Sequence, residues 1–557
     1  MLLSGADIIV RTLIEQGCDT VFGYPGGQIL NVYDSLYKYQ DELNHILTAH
    51  EQGAAHAADG YARTTGKVGV VISTSGPGAT NLVTGIATAY LDSIPMVAIC
   101  GNVPTTQIGT DSFQEIDITG VTLPITKHNY FVSDVSELAD TIREAFKLAK
   151  SGRPGPVLID VPKDVQIAKC EYETGFPAEK EEGYAAKDVR IEEAANIIHS
   201  AKRPFIYFGG GVITADAEDE VLALAEKIDA PIGCSLMGLS GIPTDHPRFL
   251  GMQGMHGHYA SSMAMHNADL ILSLGVRFND RVTGNRAKFA TGANIIHIDV
   301  DGSELCKTVN VVCGLRGDVK LTLQKLLLLL KQDSKPDWMA KVNAFRQEEN
   351  DYLDNREGLT PRKAIMTLNK HLGENTAVCT DVGQHQMWSA QNLIFKKPRR
   401  FVSSGGLGTM GFGFGAAIGA SFGTKERSVL VTGDGSFGMS LNELATAVTY
   451  NVPVVVLIMN NGVLGMVRQW QTLFYEKHYS NTVLNRKTDF VAFARSFGAE
   501  GEAVHTPEEL DGALEKAFKH NGPYIIDCKI DKDEFVLPML PPGGSMDDII
   551  VKLEVES

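Results

Sequence analysis

Two oxygen-bearing side chains follow neighbouring apolar runs in the last third of the chain. Asp434 lies in Gly-Asp-Gly-Ser after RSVLVT, and Asn461 follows VPVVVLIMN. We interpret both runs as buried parallel strands, whose carboxyl ends share the sheet edge where open α/β folds bind ligands. These side chains and the backbone carbonyl of Val463 are suited to a hard cation such as Mg²⁺, and Gly433 and Gly435 would admit a diphosphate. The alternative is a turn and a helix cap, because Asp-Gly and Asn-Gly are common turn dipeptides.

The elements that must position these residues follow an alternating pattern. Short apolar runs, among them VGVVIST, GPVLIDVP, LILSLG and NIIHIDV, alternate with helical patterns along the chain. Apolar runs with little polar alternation are typical of parallel strands buried on both faces, with helices as crossovers. The pattern predicts an α/β fold of doubly wound, mainly parallel sheets.

Two charge-rich stretches that are poor in strand formers interrupt this alternation, at residues 170–190 and 331–360. We interpret them as linkers. The predicted domains are then residues 1–170, 190–330 and 360–540, followed by a tail at 541–557. The length of 557 residues fits three or four domains of about 150 residues each.

The composition is that of an ordered globular protein, with 44% hydrophobic and 21% charged residues. The 50 Lys and Arg against 67 Asp and Glu give a net charge of −17, which argues against nucleic-acid or anionic-membrane partners. Eight scattered cysteines without a C-x-x-C pair predict reduced thiols. No export signal is recognisable, and the run Leu326–Leu330 is far shorter than the ~20 apolar residues of a membrane span. We therefore expect a cytoplasmic protein.

The GDGS sequence followed by NN resembles the thiamine-diphosphate motif of pyruvate decarboxylase-like enzymes. The resemblance extends over essentially the whole chain through FGYPGG, AHEQGAAHAADGYAR, TSGPGATN, GTDSFQE, RPGPVLIDVPKDVQ, GMHG, RFNDRVTG, VGQHQMW and NNGVLGMVRQWQ. These segments look like the acetolactate (acetohydroxyacid) synthase family, catalytic subunit. The resemblance implies a pyrimidine-binding first domain, an FAD-associated Rossmann-like middle domain and a third domain for diphosphate and Mg²⁺.

On this resemblance, Glu51 in AHEQGAAH is the carboxylate that activates thiamine diphosphate. A carboxylate bonded to the pyrimidine ring nitrogen favours the imino tautomer, whose exocyclic nitrogen then takes the C2 proton. We expect it in an apolar pocket. One alternative is a surface charge favoured by a helix N-terminus. A zinc site with His50 and His56 is rejected because the spacing is not H-E-x-x-H.

The resemblance assigns further loop residues to thiamine diphosphate. They are Tyr24, Pro25, Gly26, Pro77, Asn81, Val382, Gly383, Gln384, His385, Gly408, Met410, Gly433, Gly435, Ser436, Met466 and Val467. Residues 406–411 also fit the G-x-G-x-x-G of dinucleotide folds. We interpret that match as a partial false positive, because no acidic ribose partner follows at the usual spacing. The resemblance instead implies that Met410 is the wedge that bends the cofactor.

The middle block resembles the FAD domain of this family. The residues implied are Arg153 from the first block, together with Gly209, Gly210, Gly211, His256, Arg277, Asp299 and Asp318. Glycines and arginines suit a pyrophosphate, and an acidic strand end suits a ribose or adenine. Without the resemblance such arginines would be interpreted as surface ion pairs. Asn279 departs from the Asp of many relatives, and the family's flavin is structural in the main reaction.

Substrate choice is expected to depend on Phe113, Gln114, Lys163, Arg281 and Trp470. The resemblance places Gln114 near the cofactor, and Arg281 would grip the carboxylate of the second ketoacid. Trp470 adds apolar area that could favour 2-ketobutyrate by about 1–3 kcal/mol; the alternative is a core tryptophan. Gln28 replaces the small residue of relatives, which bears on inhibitor sensitivity.

The implied reaction begins with decarboxylation of pyruvate on thiamine diphosphate. The hydroxyethyl carbanion then attacks pyruvate or 2-ketobutyrate, giving 2-acetolactate or 2-aceto-2-hydroxybutyrate for branched-chain amino-acid biosynthesis. In the family the first-domain loops face the third domain of a second subunit, so we expect a homodimer or a tetramer, with a separate regulatory small subunit. The alternatives are a pyruvate oxidase, in which FAD takes the electrons, and a cofactor-binding scaffold with a dead site.

Overall fold

The computed structural model describes residues 1–179 and 183–552 of the chain. Within these ranges the framework is three six-stranded sheets and one two-stranded ribbon. Every strand pair in the three larger sheets is parallel. Each sheet has an apolar core on both faces, so the predicted α/β class with doubly wound parallel sheets is confirmed. We refer to each sheet with its helices as the first, middle or third domain.

The first domain opens with a short strand before its first helix. Its strands are β1 (Leu2–Ser4), β2 (Thr20–Gly23), β3 (Asn44–Leu47), β4 (Gly69–Ser73), β5 (Met96–Asn102), β6 (His128–Phe131), β7 (Pro156–Pro162) and β8 (Lys169–Glu171). Its helices are α1 (Gly5–Glu15), α2 (Leu30–Lys38), α3 (Glu51–Thr65), α4 (Pro77–Asn81), α5 (Val83–Asp92), α6 (Ile118–Thr122), α7 (Leu138–Lys150) and α8 (Lys163–Ile167). The sheet order is β3-β2-β4-β5-β7-β6, and β1 pairs with β8 in the antiparallel ribbon.

The middle domain is also a six-stranded parallel sheet with helices, but its strand order differs from that of the first domain. Its strands are β9 (Pro204–Phe208), β10 (Ile232–Cys234), β11 (Phe249–Met252), β12 (Leu270–Leu274), β13 (Asn294–Asp299) and β14 (Cys313–Arg316). Its helices are α9 (Asp188–Ser200), α10 (Gly210–Thr214), α11 (Glu218–Ile228), α12 (Tyr259–Asn267), α13 (Asp280–Thr283), α14 (Val319–Leu329) and α15 (Pro336–Asn350). The strand order is β11-β10-β9-β12-β13-β14.

The third domain holds the remaining sheet. Its strands are β15 (Ala377–Thr380), β16 (Phe401–Ser403), β17 (Ser428–Gly433), β18 (Val454–Asn460), β19 (Glu500–Val504) and β20 (Tyr524–Lys529). Its helices are α16 (Pro361–Asn369), α17 (Gln384–Asn392), α18 (Phe412–Thr424), α19 (Asp434–Phe437), α20 (Leu444–Thr449), α21 (Gly465–Phe474), α22 (Phe490–Phe497) and α23 (Pro507–Lys519). The strand order is β16-β15-β17-β18-β20-β19.

The lack of polar alternation in the strands follows from burial on both faces. In β17, Val429 and Val431 point into one core of the third domain and Leu430 into the other. Both sides of the strand are therefore dry, and polar side chains are confined to the strand ends. Within the described ranges, no helix combines the length and apolar character needed to cross a bilayer.

The stretch at 331–360, predicted as a linker, differs from that expectation. It contains α15, whose Trp338, Val342 and Phe345 are buried in a core of the middle domain. Trp338 Nε1 donates to Pro204 O at 2.9 Å. These three apolar residues are spaced so that they share one face of the helix, which is enough to pack it against the core. The many charged residues around them make this spacing hard to recognise in the sequence.

The segment at 170–190 and the tail are described in part. Residues 180–182 of the former and 553–557 of the latter lie outside the described residues. The tail lies against the middle domain, where Asn285 N donates to Gly544 O at 3.2 Å. Just before the tail, Leu540 N donates to Met255 O at 2.7 Å, and Met539 pairs with Ile550 of the tail itself.

The closest contact between domains joins α3 of the first to α18 of the third. A Cβ at Gly419 would collide with the carbonyl oxygen of Ala57, and one at Gly415 would lie 2.6 Å from Gly53 O. The backbones of α3 and α18 are therefore in direct contact. This explains why both helices are rich in glycine and alanine, although glycine destabilises helices.

Gly419→Ala is expected to destabilise the protein by about 1–3 kcal/mol, because the added methyl group must push α3 and α18 apart. Thermal unfolding followed by tryptophan fluorescence would record a lower midpoint. Gly512→Ala is the control: Gly512 lies in α23 with nothing within 4 Å of an added Cβ, so that variant should be neutral or stabilised. Equal midpoints for the two variants would contradict the packing argument.

Candidate active site

The residues of the opening motif meet at the carboxyl edge of the third sheet. Strands β17 and β18 are hydrogen-bonded neighbours in register up to Gly433, so Asp434 and Asn461 leave the sheet side by side. Asn461 Nδ2 donates to Gln384 Oε1 at 3.3 Å, and Asn461 Oδ1 accepts from Val463 N at 3.1 Å. Predicted metal and diphosphate residues from three strand ends therefore form one cluster.

Asp434 is a buried carboxylate with no cationic side chain in ion-pair contact among the described residues. Burial raises its pKa to about 6, and N–H groups including that of Asn461 act in the opposite direction. A divalent cation here would compensate the buried charge. In the described ranges no three His, Cys, Asp or Glu side chains converge. The donors available are a carboxylate, an amide and a backbone carbonyl, which suit a hard cation.

His385 in the first turn of α17 has an unused ring nitrogen. Its ring is 5% exposed, and Nε2 has no hydrogen-bond partner among the described residues. Burial lowers its pKa to about 3, so the ring is neutral near pH 7. A Cβ at Gly383 or Gly433 would lie 2.9 Å from the ring, and Ser436 Oγ donates to Val382 O nearby at 3.1 Å. A buried polar atom without a partner beside glycines is consistent with a polar ligand at this edge.

The glycine-rich loop of residues 404–411 joins β16 to α18. Gly411 precedes the helix with φ at +85°, a conformation that favours glycine. Met410 reaches the Asp434 loop, since a Cβ at Gly435 would lie 4.0 Å from Met410 Cε. Gly408 is exposed. Met466 and Val467 lie on the first turn of α21, directly after the Asn461 loop.

Glu51 is the first residue of α3, and its carboxylate lies against α4. Glu51 Oε2 accepts a hydrogen bond from Asn81 Nδ2 at 2.9 Å. Gly78 lies on the other side, where a Cβ would be 3.2 Å from Glu51 Oε1. The side chain is half-buried, and Ala54 and Ala55 on the next turn are buried. Two predicted cofactor residues, Glu51 and Asn81, are therefore in direct contact.

The loops after β2 and β4 meet at the same edge of the first sheet. The predicted residues after β2 are Tyr24, Pro25 and Gly26. Gln28 N donates to Thr74 Oγ1 at 3.2 Å, which joins this loop to the one that leads to Pro77. Lys163, at the start of α8, donates through Nζ to Gly27 O at 3.0 Å. The fold therefore brings Lys163 to the predicted pyrimidine loops.

The predicted substrate residues fall into two groups. The guanidinium of Arg281 in the middle domain lies 5.9 Å from the ring centroid of Trp470 in the third. Phe113 on the first domain is 83% exposed, and Gln114 packs against Gly76, where a Cβ would lie 2.9 Å from Gln114 O. Among the described residues no hydrogen bond or ion pair joins the two groups within one chain. The same holds for the Glu51 and Asp434 clusters.

The predicted flavin residues centre on two arginines. Arg277 is half-buried and donates through Nη2 to Leu91 O at 2.6 Å. Burial, followed by repulsion from Arg153, lowers the pKa of Arg277. Arg153 pairs with Glu304 at 3.1 Å and Asp301 at 3.6 Å. Arg277 has no such carboxylate within the described part of the chain, so its charge is available to an anion.

The other predicted flavin residues are more dispersed. Gly209, Gly210 and Gly211 follow β9, and Gly211 N donates to Gly275 O at 3.0 Å. Burial raises the pKa of Asp299, at the end of β13, to about 6. His256 is buried with Nδ1 unpartnered in the described residues. Asp318 caps α14 by accepting from Leu321 N at 3.0 Å. Within the described part of the chain, no hydrogen bond or ion pair joins Asp318 to Arg153 or Arg277.

Three family models cover most of the chain. The N-terminal TPP binding domain of thiamine pyrophosphate enzymes matches residues 3–121, their central domain 191–326 and their C-terminal TPP binding domain 381–528. The acetolactate synthase isozyme 3 large subunit of Escherichia coli K12 is 43% identical over 98% of both chains. The isozyme 2 large subunit of the same organism is 42% identical over 99% of this chain and 100% of its own. The acetolactate synthase large subunit of Corynebacterium glutamicum is 45% identical over 98% of this chain and 90% of its own.

The chain belongs to the acetolactate synthase large-subunit family. In this member of the family, the first sheet edge also holds a group that sequence reasoning missed. Asp160, near the end of β7, accepts from Asn102 Nδ2 at 2.6 Å, while its other oxygen has no partner among the described residues. Burial raises its pKa to about 7. The signal was a carboxylate inside the apolar run GPVLIDVP, three residues before Lys163.

Asp160→Asn is expected to raise the thermal midpoint of this family member, and by more at pH 8 than at pH 5. Because the folded-state pKa is raised, the native protein retains a proton that the unfolded chain releases, so stability falls as pH rises from about 4 to about 7. The amide variant removes that loss. Melting curves at both pH values provide the measurement.

Asp164→Asn is the matched control. Burial tends to raise the pKa of Asp164, but hydrogen bonds from Thr105 outweigh it and lower the pKa. This variant should therefore lose stability by the same amount at pH 5 and pH 8. A pH-independent gain for Asp160→Asn would contradict the assigned protonation.

Proposed function

We propose that this protein decarboxylates pyruvate and joins the remaining two-carbon unit to pyruvate or 2-ketobutyrate. The products are 2-acetolactate or 2-aceto-2-hydroxybutyrate, which serve branched-chain amino-acid biosynthesis. The observation that carries the proposal is similarity to acetolactate synthase large subunits along 98% or more of the chain. The contact of Glu51 with Asn81 and the Asp434 cluster supply the chemistry that such a reaction needs.

Thiamine diphosphate fits the two polar sheet edges. When bound, it supplies an acidic carbon that adds to a ketoacid carbonyl and holds the charge left when CO₂ departs. Asn81 orients the Glu51 carboxylate, which would bind the pyrimidine ring of the cofactor through a hydrogen bond and could hold or move a proton at that carboxylate. Gln384, His385 and the glycines of the third-domain edge would hold the diphosphate.

Mg²⁺ fits the donors beside that diphosphate. Asp434, Asn461 and the carbonyl of Val463 would hold it through oxygen, and the cation would neutralise charge on the diphosphate. A hard cation also explains why a carboxylate without a cationic side chain is buried here.

FAD fits the middle domain through Arg277. A half-buried guanidinium bonded to a carbonyl rather than a carboxylate can bind a pyrophosphate while keeping its present partner. The acidic end of β13 at Asp299 would accept from a ribose hydroxyl. Asn279 instead caps α13 by accepting from Val282 N at 3.2 Å.

A homodimer, alone or paired into a tetramer, is the proposed working unit. Among the described residues, no hydrogen bond or ion pair joins the Glu51 and Asp434 clusters within one chain. Tyr24 and Phe113 are exposed, which leaves the first-domain edge open to a second copy. The relatives are named large subunits, which supports a separate regulatory small subunit for this chain. Eight free thiols, five of them buried, are consistent with the reducing cytoplasm.

The substrate pocket follows from the contact of Arg281 with Trp470. The exposed guanidinium would bind the carboxylate of the second ketoacid, and the indole would pack against its alkyl group. One assay tests this: purified protein with the three cofactors, given pyruvate and 2-ketobutyrate together, with products separated by mass. Both hydroxyketoacids should form. Oxygen uptake equal to pyruvate consumed, without either product, would instead indicate an oxidase.

Glu51→Gln should lower the turnover of acetolactate formation by at least ~10²-fold, because an amide cannot take up the proton at the pyrimidine ring. Thiamine diphosphate binding, measured by calorimetry, should persist. Glu42→Gln is the control, since Glu42 pairs with Arg11 on the surface of the same domain. Normal turnover in Glu51→Gln would refute the role of the carboxylate.

Asp434→Ala should abolish Mg²⁺-dependent retention of thiamine diphosphate during gel filtration, because the cation loses its charged ligand. Asp527→Asn tests the neighbouring strand: Asp527 is buried but bonded to Asn460 at 2.8 Å and Lys529 at 2.7 Å. It should retain the cofactor. Retention by Asp434→Ala at the wild-type level, with or without EDTA, would remove Asp434 from the metal site.

A further inference from the structure

The end of helix α5 is a junction of all three domains. We define the α5 terminus as residues 91–93, which belong to the first domain. Its three residues bind groups of the middle domain, of the third domain and of the first domain itself. The contacts fall into two sets, one to the predicted flavin arginines and one to the glycine-rich loop 404–411.

The first set connects the α5 terminus to the predicted flavin arginines. Arg277 Nη2 donates to Leu91 O at 2.6 Å. Arg153 Nε donates to Ser93 Oγ at 2.8 Å, while its Nη1 pairs with Glu304 of the middle domain at 3.1 Å. A guanidinium carries five N–H groups in a rigid fork. Each arginine can therefore keep its bond to the α5 terminus and bind an anion as well.

The second set connects the α5 terminus to the glycine-rich loop 404–411. Asp92 Oδ1 accepts from Gly406 N at 2.7 Å, and Asp92 Oδ2 accepts from Gly405 N at 3.1 Å. Gly406 touches the same backbone as Arg277 does, because a Cβ there would lie 3.0 Å from Leu91 O and 2.9 Å from Asp92 Oδ1. The loop thus rests directly on the residue that Arg277 binds.

Helix α5 also contacts the glycine-rich loop one turn before the α5 terminus. Thr88 and Thr409 share a hydrogen bond between their hydroxyl oxygens at 2.8 Å, and Thr409 N donates to Ser404 Oγ at 3.0 Å. Thr88 and Asp92 are four residues apart and lie on one face of α5. This face of α5 therefore binds the loop at two places, at Gly405 and Gly406 and again at Thr409.

The charge of Asp92 is balanced inside the protein. Arg63 Nη2 donates to Asp92 Oδ2 at 2.9 Å, Arg63 Nη1 donates to Ser403 O at 2.9 Å, and the guanidinium also pairs with Asp59. All three charged side chains are buried. Charge-assisted bonds in a dry interface hold geometry firmly, so the loop backbone is fixed to α5 by groups that cannot relax into water.

We propose that Asp92 is a positioning residue that couples anion binding at Arg153 and Arg277 to the geometry of loop 404–411. An anion at the arginines would fix their side chains and, through Leu91 and Ser93, the α5 terminus. Asp92 then holds the loop backbone that carries Gly408 and Met410 in one arrangement. The inference rests on the proposed function, because it takes the anion to be the FAD pyrophosphate and the loop ligand to be thiamine diphosphate.

Coupling of this kind is reciprocal and measurable as a ratio of affinities. If FAD orders the loop, thiamine diphosphate loses less conformational freedom on binding, and its affinity rises. By linkage, thiamine diphosphate must raise the affinity of FAD by the same factor. We expect a factor of about five or more, the lower range of such couplings. A side chain with a merely structural role would change both affinities without linking them.

The experiment measures the dissociation constant of thiamine diphosphate at saturating Mg²⁺, by calorimetry, on flavin-free and FAD-saturated full-length protein. In wild type the ratio of the two constants should be about five or more. In Asp92→Asn it should fall to about one while FAD still binds, because an amide cannot accept from both glycine N–H groups and Arg63. Thr88→Val provides a second variant that leaves the buried charges intact, and its ratio should fall partway.

Glu15→Gln is the matched control. Glu15 is a buried carboxylate of the first domain that binds Arg143 through two bonds of 2.8 Å, away from the α5 terminus. It should lose stability and keep the wild-type ratio. Equal thiamine diphosphate affinities with and without FAD in wild type, or an unchanged ratio in both Asp92→Asn and Thr88→Val, would overturn the coupling alone. Failure of wild type to bind thiamine diphosphate at all would overturn the proposed function as well.

Discussion

The backbone contact between α3 and α18 is the constraint on which the arrangement of the first and third domains depends. Helix α3 begins at Glu51 and α18 begins directly after Gly411, so the contact sets two predicted cofactor elements relative to each other. Gly415 and Gly419 allow it because any larger side chain would hold the helices apart. The glycines that allow this close packing lower the helix propensity of α3 and α18, and the packing between the two domains compensates for that loss of stability.

Burial of the parallel sheets on both faces explains where the polar chemistry lies. Apolar strands leave little room for charges in the cores. Asp299 and Asp434 accordingly lie where β13 and β17 end, and Asp160 lies two residues before the end of β7. Burial raises the pKa of all three carboxylates, that of Asp160 to about 7 and those of Asp299 and Asp434 to about 6. Groups near their titration midpoint at the rim of a sheet are typical of ligand sites. Each domain thus has a buried carboxylate of raised pKa close to the end of a parallel strand.

The sequence predicts this framework well because local periodicity encodes it. Parallel strands that follow one another place Asp434 beside Asn461 without further information. Side-chain contacts between segments far apart in the sequence cannot be predicted in this way. Lys163 binds Gly27, and Arg63 binds both Asp92 and Ser403, so each contact joins separate segments of the chain. No spacing rule pairs such residues, because the helix packing that joins them is set by shape. The helix within 331–360 was missed for a related reason, since charged residues outnumber the three apolar ones that dock it.

The excess of acidic over basic residues affects ligand binding through the charges at individual sites, not through the net charge of the chain. The proposed ligands are anions, yet the net charge is −17. Arg153 of the proposed flavin site is already paired with Glu304 and Asp301, so that site depends on an arginine without a carboxylate partner in the described residues. Arg143 and Arg63 are compensated by Glu15, Asp59 and Asp92 and serve structure. Arg277 instead bonds to a backbone carbonyl, which orients the guanidinium but leaves its charge. The distinction between a structural and a binding arginine therefore lies in its partner, and the partner of Arg277 is the segment that also holds the glycine-rich loop.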